Sequence, residues 1–149
     1  MKTILALAVT IFLLTPYVSL AEEKDPYAGF SSEGKEYSQA LNRAFEANGI
    51  TNYPLPPLKS ELYDKLTEMM IAMNFRASPV EQVLDFYSNL SGMKIEFDDT
   101  VSAVRISFLS EGRLFGDEVL RVIRKLLEDQ KITLTQQGVG SVKAERILK

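Results

Sequence analysis

Between residues 68 and 149 the apolar positions switch repeatedly between a spacing of two and a spacing near 3.6. A chain with that pattern folds as neither helices alone nor strands alone. Ile71, Met73 and Phe75 alternate and predict a strand. Ser78-Pro79-Val80-Glu81 reads as a helix start, with Ser78 as cap, Pro79 at the first helical position and Glu81 closing a capping box. Val80, Val83, Leu84, Tyr87 and Leu90 mark one face of that helix, and Ser91-Gly92 ends it. Lys94 to Phe97 reads as a short strand, Asp98-Asp99-Thr100 as a turn, and Val104, Ile106 and Phe108 as a further strand.

A polar loop through Ser110-Glu111-Gly112 then leads to a second helix from near Gly116. Its buried stripe is Val119, Leu120, Ile123, Leu126 and Leu127. Asp117 and Glu118 stand in its first turn and Arg121, Arg124 and Lys125 later, an order that complements the helix dipole. Ile132 and Leu134 share one face of a strand, Gln137 to Gly140 turns the chain, and Val142 to Leu148 forms the last strand. The predicted order is β-α-β-β-α-β-β, an α+β sandwich of two helices with short sheets.

Upstream, residues 22–67 have a different character. Glu22 to Glu33 is polar and reads as a flexible lead-in. Tyr37, Leu41, Ala44 and Phe45 recur at helical spacing, and Asn48-Gly49 supplies a stop, with Ile50 placed to fold back in a Schellman cap. Tyr53-Pro54-Leu55-Pro56-Pro57-Leu58 reads as a stiff, extended, proline-rich connector. Lys59 to Leu66 adds a short helix with Ser60 as its cap. Whether the Tyr37–Leu41–Phe45 face docks on the domain is open at this level.

Residues 1–21 have the make-up of a secretory signal peptide. Lys2 gives a basic start, Ile4 to Leu14 is apolar apart from Thr10, and Pro16 breaks the segment. Ser19-Leu20-Ala21 offers the small residues a signal peptidase reads, which predicts cleavage between Ala21 and Glu22. A spanning helix needs about 20 apolar residues, so cleavage is expected rather than a permanent membrane span. The chain has no cysteine, which excludes a lipidated lipoprotein terminus.

Composition narrows the chemistry. A chain exported without cysteine holds its fold by its core and not by disulfides. It also has no histidine, so the usual zinc sites and the Ser–His and Cys–His nucleophile systems cannot be assembled. Carboxylate-only hydrolysis stays open. The formal net charge is −3, and losing the signal, which holds Lys2 and no acid, makes the remainder one unit more negative. That balance lacks the basic face of a dedicated nucleic-acid binder.

The run Met73-Asn74-Phe75-Arg76-Ala77-Ser78-Pro79-Val80-Glu81-Gln82-Val83-Leu84 resembles the opening of the short N-terminal periplasmic domain shared by bacterial secretins and TonB-dependent signalling receptors. Leu90-Ser91-Gly92-Met93-Lys94-Ile95-Glu96-Phe97-Asp98 resembles the next step of that domain, and Val104-Arg105-Ile106-Ser107-Phe108 the following strand. The resemblance spans roughly Met69 to Leu148, and the expectation is a free-standing copy of that domain. It implies a bacterial periplasmic location and protein–protein contact within envelope machinery. It implies no catalytic residue, no cofactor and no metal ligand.

The remaining candidate residues have structural readings. Asp98-Asp99 offers too few oxygens for calcium, which takes 6–8, and reads as a solvated turn. Asp117-Glu118 and Glu128-Asp129 read as solvated faces or dipole partners. Met69, Met70, Met73 and Met93 read as core filling ahead of an adaptable groove. Asn89-Leu90-Ser91 matches a glycosylation acceptor by chance. Gly138 and Gly140 belong to a hairpin loop and not to a phosphate cradle, because no helix follows. Edge strands of the small sheets, and the segment Tyr53 to Leu58, are candidate docking elements.

The expectation is therefore a periplasmic or secreted, non-enzymatic interaction module of the bacterial envelope, associated with a secretion or pilus-type assembly. The alternatives are a signalling adaptor of the TonB-dependent receptor or FecR type and, last, a small hydrolase built on Asp98 or Asp99 with Glu96 or Glu111.

Overall fold

The structure is a computed structural model and describes residues 25–147. The expected signal peptide, its cleavage site at Ala21–Glu22, and Leu148 lie outside the described residues. The architecture is mixed α+β. Helices α1 (Ser32–Asn48) and α2 (Ser60–Glu68) precede β1 (Met70–Pro79), α3 (Val80–Ser91), β2 (Lys94–Phe97) and the short α4 (Asp99–Ser102). Then come β3 (Arg105–Phe115), α5 (Gly116–Asp129), β4 (Ile132–Gly138) and β5 (Ser141–Arg146). The predicted β-α-β-β-α-β-β order is present, with α1 and the connector ahead of it. Among the described residues no helix is long and apolar enough to cross a membrane.

The strands form two small sheets. β1 pairs antiparallel with β3, and β5 lies between β2, to which it is parallel, and β4, to which it is antiparallel. The helix stripes read from the sequence are the buried ones: Val80, Val83, Leu84, Tyr87 and Leu90 on α3, and Val119, Leu120, Ile123, Leu126 and Leu127 on α5. Val122 is buried as well, and α2 and the 3-10 turn Ile50–Asn52 also pack against α5. Phe108 and Ile106 of β3 complete the centre. Burying a Leu, Ile or Phe side chain contributes about 1.5–3 kcal/mol each.

Several local expectations are corrected. Ser78 does not cap α3. It stays in β1 opposite Ile106, and the helix begins at Val80 after Pro79 with no side-chain cap. The strand partner takes over the cap's role, since the Val80 N–H donates to the Val104 carbonyl at 3.0 Å. Ser60 is the first residue of α2, not its cap, which is Lys59. Gly49 takes a φ of +74° but a ψ of 135°, so the left-handed geometry of a Schellman cap is not reached. Ile50 is nonetheless buried.

The expected loop Ser110-Glu111-Gly112 is part of β3, which runs on to Phe115 and pairs with the start of β1. Ser110 makes this possible: its hydroxyl accepts from the Met73 N–H and donates to the Gly112 carbonyl. The Asp98-Asp99-Thr100 turn winds into α4, with the Asp98 carboxylate capping through Thr100 N–H at 3.0 Å. α3 ends at Ser91-Gly92 as expected, with Gly92 in the left-handed conformation.

Candidate interaction surfaces

α1 docks on the domain. Ser38 and Asn42 are buried at the contact with β3, and Leu41 joins the core. The Ser38 hydroxyl donates to the Leu109 carbonyl at 3.0 Å and accepts from the Leu109 N–H at 2.9 Å. The Asn42 amide donates to the same carbonyl at 2.8 Å. These two side chains thus satisfy the outward backbone groups of Leu109, and α1 covers that edge of β3.

At the other end of the contact, the Tyr37 hydroxyl donates to the Asp129 carboxylate at 2.8 Å. Asp129 also pairs with Lys125 one turn earlier on α5. Asp129 is therefore a tethering group and not the solvated helix-end acid expected. Burial, followed by the hydrogen bond to Asp129, raises the Tyr37 pKa far above its ordinary value. The hydrogen bond to Asp129 raises the Lys125 pKa. Nothing in the local pattern around Tyr37 or Asp129 signals their meeting.

The proline-rich connector lies against the domain. The Arg121 guanidinium donates to the Thr51 carbonyl at 3.0 Å and to the Tyr53 carbonyl. Leu55 and Leu58 pack on the core. Pro56 and Pro57 close over a cavity of about 180 Å³ with Tyr87, Arg124, Leu134 and Gln136. Burial pushes the Tyr87 phenol up to about 12, against the opposing pull of the Arg124 charge. The segment read as a stiff connector and a candidate docking element is thus fastened to α5 at its start.

A larger groove of about 550 Å³ lies between α1, the turn at Gly49–Thr51 and the far end of β3. Phe45, Ile50 and Leu114 line it with Glu46, Glu111 and Glu118. Glu118 is partly committed, since it accepts from the Phe115 N–H and so caps α5.

Of the carboxylates considered for hydrolysis, Asp98 and Glu96 both lie near Lys143, while Glu111 lies apart from them. Asp98 caps α4, and the Thr100 hydroxyl, ahead of its backbone contacts, holds its carboxyl below the usual range. Glu96 pairs with Lys94, while Glu111 lines the groove beside Glu46 and Glu118 and not beside Asp98 or Asp99. Among the described residues no group of three Asp or Glu is placed to hold a metal ion. Asn89-Leu90-Ser91 lies inside α3, with Ser91 buried and accepting from the Met93 N–H.

The methionines divide. Met73 and Met93 are core residues, but Met69 and Met70 are exposed at 45% and 54%. Met70 stands opposite Phe115, itself 42% exposed, where β1 and β3 pair. β4 is an edge strand, and Val139, in the turn just beyond its end at Gly138, protrudes fully into solvent. No protein-family model, no curated protein and no solved structure matches the chain.

Proposed function

We propose that this chain is an exported, non-enzymatic protein–protein interaction module of the bacterial envelope that works with a secretion or pilus-type assembly. The observation that carries the reading is the paired exposure of Met70 and Phe115 beside Met69. Large apolar side chains grouped on a surface mark a contact site for another protein, and methionine lets such a surface adapt to its partner. The separation of Glu111 from Asp98 and Glu96, and a sequence without histidine or cysteine, favour contact over catalysis. The basic start, apolar run and small-residue site of residues 1–21 support export.

The test is in-cell crosslinking of the tagged chain followed by mass spectrometry of what it captures. Recovery of secretin, pilus or inner-membrane assembly proteins, lost when Met70→Asp and Phe115→Asp are combined, supports the reading. Recovery of TonB-linked receptors or anti-sigma regulators moves the module to signalling. A correctly exported, folded chain that captures nothing counts against both.

A further inference from the structure

The two sheets present four outer edges, and three of them are guarded. The outer edge of β3 is covered at Leu109 by Ser38 and Asn42 of α1. β1 is broken by two register shifts, and Ala77 in the second takes a left-handed φ of +48°. β2 is only four residues long and carries Lys94 and Glu96. Short length, charge, bulges and covering elements are the devices that keep sheet edges from pairing. β4 lacks charge, proline and bulges along Ile132–Gln136: its sequence Ile-Thr-Leu-Thr-Gln-Gln-Gly holds no charge and no proline, its one irregularity falls after Gln136, and the connector residues Pro56 and Pro57 meet it at the side chains of Leu134 and Gln136.

The free groups of this edge follow from the ladder. The Ile147 N–H donates to the Lys131 carbonyl at 2.8 Å, just beyond the Ile132–Arg146 pair. Bonded and non-bonded pairs alternate along an antiparallel ladder. Thr133 and Thr135 therefore bond to Glu145 and Lys143 of β5, and the N–H and C=O groups of Ile132, Leu134 and Gln136 point outward.

We infer that β4 pairs antiparallel with β4 of a second copy of this chain. The inference rests on the reading of the protein as an interaction module and names one of its partners. A two-fold axis at Leu134 sets Leu134 against its own mate and Ile132 against Gln136, so all outward groups are satisfied reciprocally. The same axis sets Thr133 against Thr135 on the solvent face, a neutral pair with hydroxyls able to bond across strands. Lys131 falls opposite Gln137, so no like charges meet. β2 and β5, by contrast, carry Lys94, Glu96, Lys143, Glu145 and Arg146. A two-fold contact of this kind closes on itself and stops at the dimer.

The test is sedimentation equilibrium of the full folded chain from about 1 to about 500 µM, a span that covers micromolar affinities. The expected result is a mass that doubles with concentration. Thr133→Lys combined with Thr135→Lys sets lysine against lysine and should weaken the dimer by tenfold or more. Thr133→Glu combined with Thr135→Glu should do the same, and an equimolar mixture of the two variants should restore pairing. Circular dichroism confirms that both variants fold. A wild-type chain monomeric throughout, a dimer indifferent to both variants, or a foreign strand found on β4 overturns the inference. The crosslinking capture is run in parallel on the lysine variant. Partner recovery by a monomeric variant leaves the interaction reading standing whatever becomes of the dimer.

Discussion

The phenol of Tyr37 and the carboxylate of Asp129 lie 92 positions apart in sequence and 2.8 Å apart in space. This bond ties the first helix of the described chain to the last. Its acceptor is a carboxylate that also pairs with Lys125 and is only partly exposed, so the bond is stronger than a neutral surface bond. Tyr37→Phe keeps the ring and deletes the bond. We expect a loss of about 1–2 kcal/mol, read as a lower urea midpoint at unchanged slope. An unchanged midpoint would show that the bond contributes nothing net.

Alkaline pH should unfold this protein through its buried phenols. Folding raises the Tyr37 pKa strongly and pushes Tyr87 up to about 12, both from 10.0. The native state holds these protons more tightly than the unfolded chain. Stability is therefore fully present below pH 10 and is lost as pH rises from 10 towards 12. Lys125, whose pKa is also raised, acts in the same direction. Urea midpoints measured across this range should fall steeply, and Tyr87→Phe should flatten the fall. An equally steep fall in that variant would locate the effect elsewhere.

Ser38 and Asn42 should prove unequal to any apolar replacement. Ser38→Ala removes both a donor and an acceptor from Leu109, while Asn42→Ala removes a second donor to its carbonyl. A buried backbone group left without a partner costs about 1–3 kcal/mol. Ser38→Ala should cost that much, and amide exchange at Leu109 should accelerate in it more than in Asn42→Ala. Because the Leu109 carbonyl loses its last donor only when both side chains are removed, the double variant should cost more than the sum of the singles.

Three glycines should rank by what a methyl group would meet. At Gly116 an added Cβ would lie 2.7 Å from the Leu66 side chain and 2.9 Å from its carbonyl oxygen, so helix and neighbour must separate. Gly116→Ala should cost about 1–3 kcal/mol. Gly49→Ala has room but sits at φ +74° and should cost about 1 kcal/mol through backbone strain. Gly112→Ala meets nothing within 4 Å and should leave the melting temperature almost unchanged. A different order would mean that Leu66 yields more easily than its burial implies.

Much of the architecture was legible because it depends on short-range pattern. The alternation Ile71–Met73–Phe75 and the stripes Val80 to Leu90 and Val119 to Leu127 each lie within one element, and a period is a property of neighbours. Gly92 was legible for the same reason, since a left-handed helix end favours glycine wherever the chain goes next. The Ser78 cap failed although its motif is local. β1 keeps Ser78 by pairing it with Ile106, and Val104 answers the Val80 N–H instead. Ser110-Glu111-Gly112 misled likewise: polar residues that read as a loop become strand when Ser110 satisfies Met73 and Gly112.

The candidate surfaces were less legible than the fold. That edge strands matter could be expected, but not which edge stays free, because guarding β3 takes α1 from a distant part of the chain. Met69, Met70, Met73 and Met93 look alike in sequence, yet two are buried and two exposed. The sequence by itself determined the fold class, the helix faces and the chemistry excluded by lacking histidine and cysteine, since these follow from composition and from periods within single elements. Only the tertiary structure decided that α1 docks, that Arg121 fastens the connector, that Asp129 is a tether and that β4 is the open edge. Each of these is a meeting of groups far apart in the chain, and the energy of such a contact depends on where the intervening segments place them.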